Sequence, residues 1–225
     1  MRLAAAFAAL ILFTSAALAR PAHVQTHAAV RDWSRTVVAT PEGGMRMGNP
    51  AARVRLVEYG SLSCPHCRYF EQTGYPKLVK DYVRTGKVSY EFRNLLLDAA
   101  DIAVSRLAQC AGPARFFPMA AAVFDAQPGW HAKVAALDDS ALAKLSDTDR
   151  LVTIANTAGF FPLAARFGVS PARARACLAD QAGLEKLYAV TRAASGMGVD
   201  GTPTFFVNGK MVGARAWEQL EPLLK

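Results

Sequence analysis

The sequence predicts an α/β fold in which a central mixed sheet is flanked by helices and interrupted by an all-helical insertion. Strand patterns lie toward both ends of the chain, at residues 54–59 (VRLVEY), 88–93 (VSYEFR) and 204–207 (TFFV). Between them, residues 95–183 are rich in alanine and carry apolar positions at helical spacing. Strands, then a run of helices, then strands again indicate one sheet with helices inserted in its middle.

The sheet is predicted from a strand–helix–strand order. The strand at 54–59 is followed by GSLSCPHC and a helical segment at 68–85, which Gly86 ends before the strand at 88–93. This order suits a right-handed parallel crossover. A short β-branched run at 36–39, closed by proline and glycine, predicts an edge strand.

Proline and glycine are expected to divide the insertion into several short helices. The dividing residues are Pro113, Pro118, Pro128, Gly129, Gly159 and Pro162. Ser170 before Pro171 marks a further helix start, since serine caps a helix and proline is favoured at its first position. The Asn-Gly pair at 208–209 predicts a tight hairpin because a type I′ turn needs positive φ at both central residues. An amphipathic helix at 217–224 closes the chain.

The first residues have the layout of an exported protein. Residues 1–19 begin with one basic residue, continue with an apolar run and end in Ala-Leu-Ala, which predicts a cleaved secretory signal peptide. A membrane anchor is the alternative, although the run is short and alanine-rich for a span. In the leader that follows, His23 and His27 lie four apart. The predicted segments are a signal peptide at 1–19, a flexible leader at 20–32, sheet parts at 33–94 and 184–225, and the helical insertion at 95–183.

Composition narrows the possible functions. The chain has 225 residues and a formal net charge of +8, with ample length for a proper core. Its basic residues are scattered and not grouped on one predicted face, which indicates a solvated basic surface and argues against nucleic-acid binding. Export also affects how the four cysteines are interpreted, since disulfides persist in an oxidising compartment.

The stretch CPHC, from Cys64 to Cys67, carries the chemistry. A c-type haem would need histidine directly after the second cysteine, where Arg68 stands. A structural zinc site usually takes four ligands. Zinc or copper held by Cys64, His66 and Cys67 would therefore have an incomplete shell. A disulfide across so short a loop would stabilise the fold little.

A redox-active pair explains the motif best. It falls between a predicted strand and a predicted helix, with Ser63 placed to cap the helix. Unpaired N–H groups and the positive end of the helix dipole would favour a thiolate at Cys64, exposed for attack. Cys67, one turn further, would lie beneath it and resolve the mixed disulfide. His66 would lower the pKa of Cys64 further.

Other residues enter through a resemblance. Three features carry this resemblance: CPHC after VRLVEY, Thr202-Pro203 before TFFVNGK, and a helical block between two sheet halves. In these features the chain resembles the thioredoxin superfamily, and within it the DsbA-like disulfide oxidases of the bacterial periplasm. The resemblance covers the chain from about residue 33 to its end. It implies Pro65 and His66 as the typical dipeptide between the cysteines. It also implies a cis Pro203 against the cysteine pair and a Thr202 whose backbone binds an extended substrate.

The resemblance also gives roles to an acid and to the second cysteine pair. Family members often bury an acid six residues before the first cysteine, so Glu58 is expected to accept the proton of Cys67, with Arg93 as its candidate basic partner. The alternative is that Glu58 faces solvent. Cys110 and Cys177 match an extra pair found in some branches of the family. An oxidising compartment makes a bridge between them the expectation, with two buried free thiols as the alternative.

The predicted function is an exported thiol:disulfide oxidase that needs no cofactor, since the Cys64–Cys67 disulfide carries the electrons. Its substrates would be folding exported proteins with free cysteines, and a DsbB-like, quinone-linked membrane oxidase would re-oxidise it in the periplasm. The short leader favours a monomer. An isomerase or reductase is the alternative among enzymes, because Thr202 replaces the valine of the best-known oxidases. A metal carrier using Cys64, His66 and Cys67, and a chaperone that only holds unfolded chains, are alternatives of other classes.

Overall fold

Six strands form one mixed sheet in the computed structural model, which describes residues 31–225. The strands are β1 (Val37–Ala39), β2 (Met45–Gly48), β3 (Val54–Gly60), β4 (Val88–Asn94), β5 (Thr204–Val207) and β6 (Lys210–Val212). They lie in the order β1-β2-β4-β3-β5-β6, with β3 and β4 parallel and the other neighbours antiparallel. The predicted mixed sheet is confirmed. The predicted signal peptide and the leader histidines His23 and His27 lie outside the described residues.

Helices fill the long connection between β4 and β5 and flank the sheet elsewhere. In residues 31–225 they are α1 (Pro65–Thr73), α2 (Tyr75–Lys77), α3 (Ala99–Cys110), α4 (Pro113–Ala135), α5 (Asp139–Leu142), α6 (Asp147–Ala158), α7 (Phe160–Arg166), α8 (Pro171–Ala179), α9 (Gln181–Gly196) and α10 (Trp217–Leu220). A π-helical segment, Leu78–Val83, continues α2, and 3₁₀ turns lie at Trp33–Arg35 and Glu221–Leu224. Across this described part, no helix has the length and apolar character that a membrane crossing requires.

The two faces of the sheet are covered by different helices. Successive residues of a strand point to opposite faces, so Glu58 and its neighbour Tyr59 on β3 face opposite ways. The face that carries Glu58, here called the cysteine face, packs against α1, where the Phe70 ring lies 4.9 Å from that of Phe205. The other face, here called the α9 face, carries Tyr59 and packs against α9 through Val190.

Several local predictions are confirmed. Gly159 ends α6 with a φ of 80°. The Ser170 side chain accepts the N–H of Arg173 in the first turn of α8. Asn208 and Gly209 have φ values of 51° and 81°, as the hairpin between β5 and β6 requires. The helix predicted at 68–85 begins earlier than expected and is divided at Gly74 into α1 and α2.

The prediction of short helices is wrong for α4, which runs for 23 residues through Pro118 and Pro128. A proline inside a helix lacks its N–H and leaves the carbonyl four residues earlier without a donor. For Pro128 that carbonyl belongs to Phe124, and Arg68 Nε donates to it at 3.0 Å. A side chain of α1 therefore supplies the bond that the proline cannot make.

Candidate active site

The CPHC stretch spans the start of α1. Cys64 is the N-cap residue and Pro65 the first helical residue, a position at which the missing N–H of proline costs nothing. Pro65 and His66 are exposed, whereas Cys64 is 4% exposed and Cys67 is 1% exposed. The expectation of an exposed Cys64 is therefore wrong for this conformation, because its Sγ lies against the Thr202 carbonyl oxygen, 3.3 Å away.

The predicted capping role of Ser63 is also wrong. The helix has no side-chain cap bond, because Ser63 lies one residue too early and its hydroxyl donates to Asp98 Oδ2 at 2.5 Å. Asp98 is itself the N-cap of α3, where it accepts the N–H of Asp101. The serine therefore ties the residues before the cysteine pair to the helical insertion.

Cys64 and Cys67 are free thiols whose pKa values are shifted in opposite directions. Hydrogen bonds to Cys64 Sγ lower the pKa of Cys64 to about 5, although burial acts in the opposite direction. The largest contribution comes from the Cys67 thiol, and the others come from the Thr202 side chain and from the N–H groups of Cys67 and His66. Burial raises the pKa of Cys67 well above its ordinary value. His66 thus acts on Cys64 through its backbone N–H, and its side chain is exposed.

Thr202 and Pro203 lie beside the cysteine pair and are joined by a cis peptide bond. The Thr202 carbonyl accepts the Cys64 thiol. Arg215 Nη1 donates to the Pro203 carbonyl at 2.5 Å and to Thr204 Oγ1 at 2.6 Å. Arg215 was not identified from sequence, since nothing in its position near the C-terminus indicates that it returns to this segment.

Glu58 lies on the cysteine face and is 2% exposed, so it does not face solvent. Burial raises the pKa of Glu58 to about 8, although the Tyr90 hydroxyl donates to its Oε2 at 2.6 Å and favours the carboxylate. The negative charge of Glu58 is one reason why the pKa of Cys67 is raised. The charge of Cys64 in turn contributes to the raised pKa of Glu58.

Arg93 is not the partner of Glu58, and that prediction is wrong. In the register of β3 and β4, Glu58 pairs with Phe92, whereas Arg93 pairs with Tyr59. Paired residues share a face, so Arg93 lies on the α9 face, where its Nε donates to Glu91 at 2.7 Å. In the described part of the chain, Tyr90 is the side-chain hydrogen-bond partner that Glu58 has.

A second acid near Cys67 was missed by sequence reasoning. Glu71 lies four residues after Cys67 on α1, a spacing that places both on one side of the helix. Burial, the charge of Glu58 and the charge of Asp125 raise the pKa of Glu71 to about 8. The four-residue spacing from Cys67 was the available sequence signal for Glu71. It points to a role near Cys67 only if that side of α1 is buried, which the sequence does not show.

Side chains of the helical insertion form hydrogen bonds with the loop before Cys64. Asp101, on α3, is fully buried and accepts from the Ser61 hydroxyl at 2.6 Å. Gln127 and His131, on α4, contact the backbone of the same loop. Sequence reasoning missed all three, because they meet the loop only when the insertion has folded onto the sheet.

Cys110 and Cys177 are joined by a disulfide that links α3 to α8. This pair lies within the helical insertion and takes no part in the contacts of Cys64 and Cys67 described above. Within residues 31–225, no group of three or more His, Cys, Asp and Glu side chains is arranged to hold a metal ion. The metal-carrier alternative, with Cys64, His66 and Cys67 as ligands, thus has no support.

Comparison with known proteins decides the family. A protein family described as Thioredoxin matches residues 40–225. The chain belongs to the thioredoxin family. Among its solved relatives in this family, a protein-disulfide isomerase from Novosphingobium aromaticivorans is 33% identical with a TM-score of 0.74, over 80% of this chain and 94% of that one. The alpha-DsbA1 of Wolbachia pipientis shares the fold, with a TM-score of 0.62 and 24% identity over 80% of this chain and 87% of that one.

Curated relatives agree with this thioredoxin-family assignment. A protein of Rickettsia typhi that is named as a protein-disulfide oxidoreductase is 29% identical over 198 residues, or 87% of this chain. The chain spans 65% of the length of that relative. The predicted thioredoxin-like fold and the resemblance to DsbA-like proteins are confirmed.

Proposed function

We propose that this protein is a thiol:disulfide oxidoreductase that oxidises pairs of cysteines in folding proteins. The observation that carries the proposal is a pair of free thiols at the start of α1, with Cys64 at the N-cap beside the Thr202 carbonyl and Cys67 buried one turn further on. In keeping with this placement, the pKa of Cys64 is lowered to about 5 and that of Cys67 is raised well above its ordinary value. A stable thiolate at Cys64 favours the reduced pair over its disulfide, which makes the disulfide an oxidant.

The reaction begins from the Cys64–Cys67 disulfide. A substrate thiolate attacks Cys64 Sγ, the bond between the two cysteines breaks, and Cys67 leaves as a thiolate. Glu58, protonated at neutral pH because its pKa is about 8, donates a proton to that thiolate. A second substrate thiolate then attacks the substrate sulfur of the mixed disulfide, and Cys64 leaves as a stable thiolate.

The products are a substrate disulfide and a reduced cysteine pair, so two electrons pass from substrate to enzyme. When the pair is re-oxidised, the Glu58 carboxylate accepts the proton of Cys67 before that sulfur attacks. The disulfide is the only redox group that this sequence of steps uses. Thr202 and Pro203 lie beside Cys64 Sγ, where their backbone would meet an extended substrate.

The setting and partners belong to the same proposal. The signal-like residues 1–19 support export to the periplasm, where client proteins with free cysteines fold and disulfides persist. A DsbB-like, quinone-linked membrane oxidase would return the pair to its disulfide form. We propose that the protein acts as a monomer.

The decisive experiment mixes the oxidised full-length chain with a reduced, unfolded client that contains two cysteines. We expect stoichiometric loss of client thiols, and accumulation of a mixed disulfide through Cys64 in the Cys67→Ser variant. The matched control replaces Cys110 and Cys177 by serine and should retain the activity. Client oxidation that persists in the Cys64→Ser variant would refute the proposal.

Redox equilibrium separates oxidase from isomerase or reductase. In graded glutathione buffers, an oxidase should hold Cys64 and Cys67 reduced under conditions that keep most structural disulfides oxidised. A second assay uses a client with non-native disulfides, on which an isomerase acts and a pure oxidase does not. Preferential recovery of the native client would assign the protein to the isomerases.

A further inference from the structure

The loop of residues 61–64, here called the cysteine loop, is buried throughout. Ser61 and Leu62 are 0% exposed, and Ser63 and Cys64 are 4% exposed. A buried loop has no water to satisfy its backbone polar groups, so each needs a partner from the protein. In this loop several of these partners come from the helical insertion.

Three side chains of the insertion bind successive residues of the cysteine loop. Asp101 Oδ1 accepts the N–H of Leu62 at 3.1 Å. His131 Nε2 lies 2.9 Å from the Ser63 carbonyl oxygen. Gln127 Nε2 donates to the Leu62 carbonyl at 3.0 Å and to the Cys64 carbonyl at 3.1 Å.

Gln127 differs from the other two because it holds the residue that carries the reactive sulfur. Its single amide nitrogen bridges the carbonyls of Leu62 and Cys64, on either side of Ser63. The Cys64 carbonyl also accepts the Arg68 N–H at 3.1 Å, the first bond of α1. Gln127 therefore fixes both the end of the loop and the start of the helix.

Gln127 lies on a buried side of α4, on a stretch of the helix that is bound to α1. The residue is 3% exposed and directly precedes Pro128. On the same stretch of α4, Arg68 Nε donates to the Phe124 carbonyl at 3.0 Å and Trp130 Nε1 to the Val123 carbonyl at 3.1 Å. The Arg68 bond ties α4 to α1, and the Trp130 bond lies within α4 itself, one turn from Gln127.

We propose that Gln127 is a positioning residue for Cys64: by holding the Leu62 and Cys64 carbonyls, it keeps the sulfur against the N–H groups of His66 and Cys67. The inference rests on the proposed thiol–disulfide function and deepens it, because it gives the helical insertion a part in the reactivity of the cysteine pair. A merely structural Gln127 would contribute to stability and leave the sulfur unchanged.

The test is the titration of Cys64 in the reduced full-length chain, followed by thiolate absorbance at 240 nm. Gln127→Met is close in size and removes both donated bonds. Once the loop can relax, Cys64 Sγ loses part of its hydrogen bonding, so its titration midpoint should rise by about one pH unit, a tenfold change in the acid equilibrium. The pH profile of alkylation should move with it.

Thr40→Val is the matched control. Thr40 is 9% exposed, and its hydroxyl donates to Glu91 Oε1 at 2.7 Å on the other face of the sheet. This variant also loses a buried hydrogen bond, so it should lower the urea midpoint without moving the Cys64 titration. Gln127→Asn keeps the amide but is one methylene too short to reach both carbonyls, and it should give an intermediate shift.

Two results would overturn the proposal. One is a Cys64 midpoint that is unchanged in both Gln127 variants, and the other is an equal shift in Thr40→Val. If Gln127→Met does not fold, Gln127→Asn decides alone. Client oxidation is measured separately on the wild-type chain, so a shifted midpoint without client oxidation would refute the proposed function and leave the positioning role intact.

Discussion

Two glutamates are buried side by side in the sheet, one on each face, and their surroundings give them different chemistry. Glu91, on β4, is 7% exposed and lies against a cation, Arg93 Nε at 2.7 Å, and the Thr40 hydroxyl. Glu58, on β3, is 2% exposed and has the Tyr90 hydroxyl as its partner. Burial without a cation raises the pKa of Glu58 to about 8.

The difference shows what separates a structural acid from one that can exchange a proton. Glu91 forms an ion pair with Arg93 on the same strand and accepts the Thr40 hydroxyl, so it links β4 to the β1–β2 turn. A carboxyl beside a hydroxyl can be neutral or charged near neutral pH. The face with the neutral acid is also the face with Cys67, and this coincidence is what the following predictions test.

The largest expected effect is on stability at high pH. The unfolded chain loses the Glu58 proton near pH 4.5 and the folded chain near pH 8, so between these values the folded state binds more protons and its stability falls as pH rises. Glu58→Gln removes this loss. Above pH 8 the variant should gain up to about 5 kcal/mol over wild type, and below pH 4.5 the gain should vanish, as measured by urea unfolding.

Glu91→Gln is the matched control for this pH dependence. It removes the buried acid that pairs with Arg93 at 2.7 Å, so we expect a loss of stability and no gain at high pH. The prediction fails if wild type and Glu58→Gln have parallel curves of stability against pH.

The second effect concerns the ion pair on the α9 face. Arg93→Met removes the ion-pair partner of the buried Glu91 side chain, which should cost about 3 kcal/mol at pH 7. The double variant Arg93→Met/Glu91→Met should recover most of this loss, since no charge remains buried. Arg55→Met, at an exposed position of β3 on the same α9 face, serves as the control and should change stability by less than about 0.5 kcal/mol. Equal losses in the single and double variants would contradict the argument.

These two glutamates also show what sequence could and could not predict. CPHC was identified from its own residues, whereas Glu58 and Thr202-Pro203 were identified through the resemblance to DsbA-like oxidases. Arg93 was assigned to the wrong glutamate because the register between β3 and β4 decides which residues share a face. Register depends on packing across the sheet, and no local pattern in either strand states it.

The helical insertion was predicted as helices but not as part of the site. Asp101, Gln127 and His131 are ordinary residues in alanine-rich helices, and their contacts with the cysteine loop span 39 to 68 residues of sequence. The prolines of α4 were interpreted as helix ends because the side chain that replaces the missing bond at Pro128 comes from Arg68, in another helix. Local signals fail where the compensating group is distant in sequence.

The third effect is kinetic and depends on the proposed function. Glu58→Gln removes the proton donor that we propose for the Cys67 thiolate when it leaves, so reduction of the disulfide by a dithiol peptide should slow by about a hundredfold at pH 7. Single-turnover measurements isolate this step. The Glu91→Gln variant should stay within about twofold of wild type, and equal slowing of both variants would show that Glu58 acts only through stability.

The smallest effect separates the two tyrosines that contact these groups. The Tyr90 hydroxyl donates to Glu58 Oε2 and so favours the carboxylate. Tyr90→Phe removes this donor, so the pKa of Glu58 should rise further, by about one unit. The decline of stability with pH should then end at a higher pH. Tyr59→Phe removes the oxygen that accepts from Arg93 Nη1 at 3.0 Å on the α9 face and should leave that endpoint in place. If both variants moved this endpoint equally, the two faces would not be independent, and burial on the face away from Arg93 would no longer explain the raised pKa of Glu58.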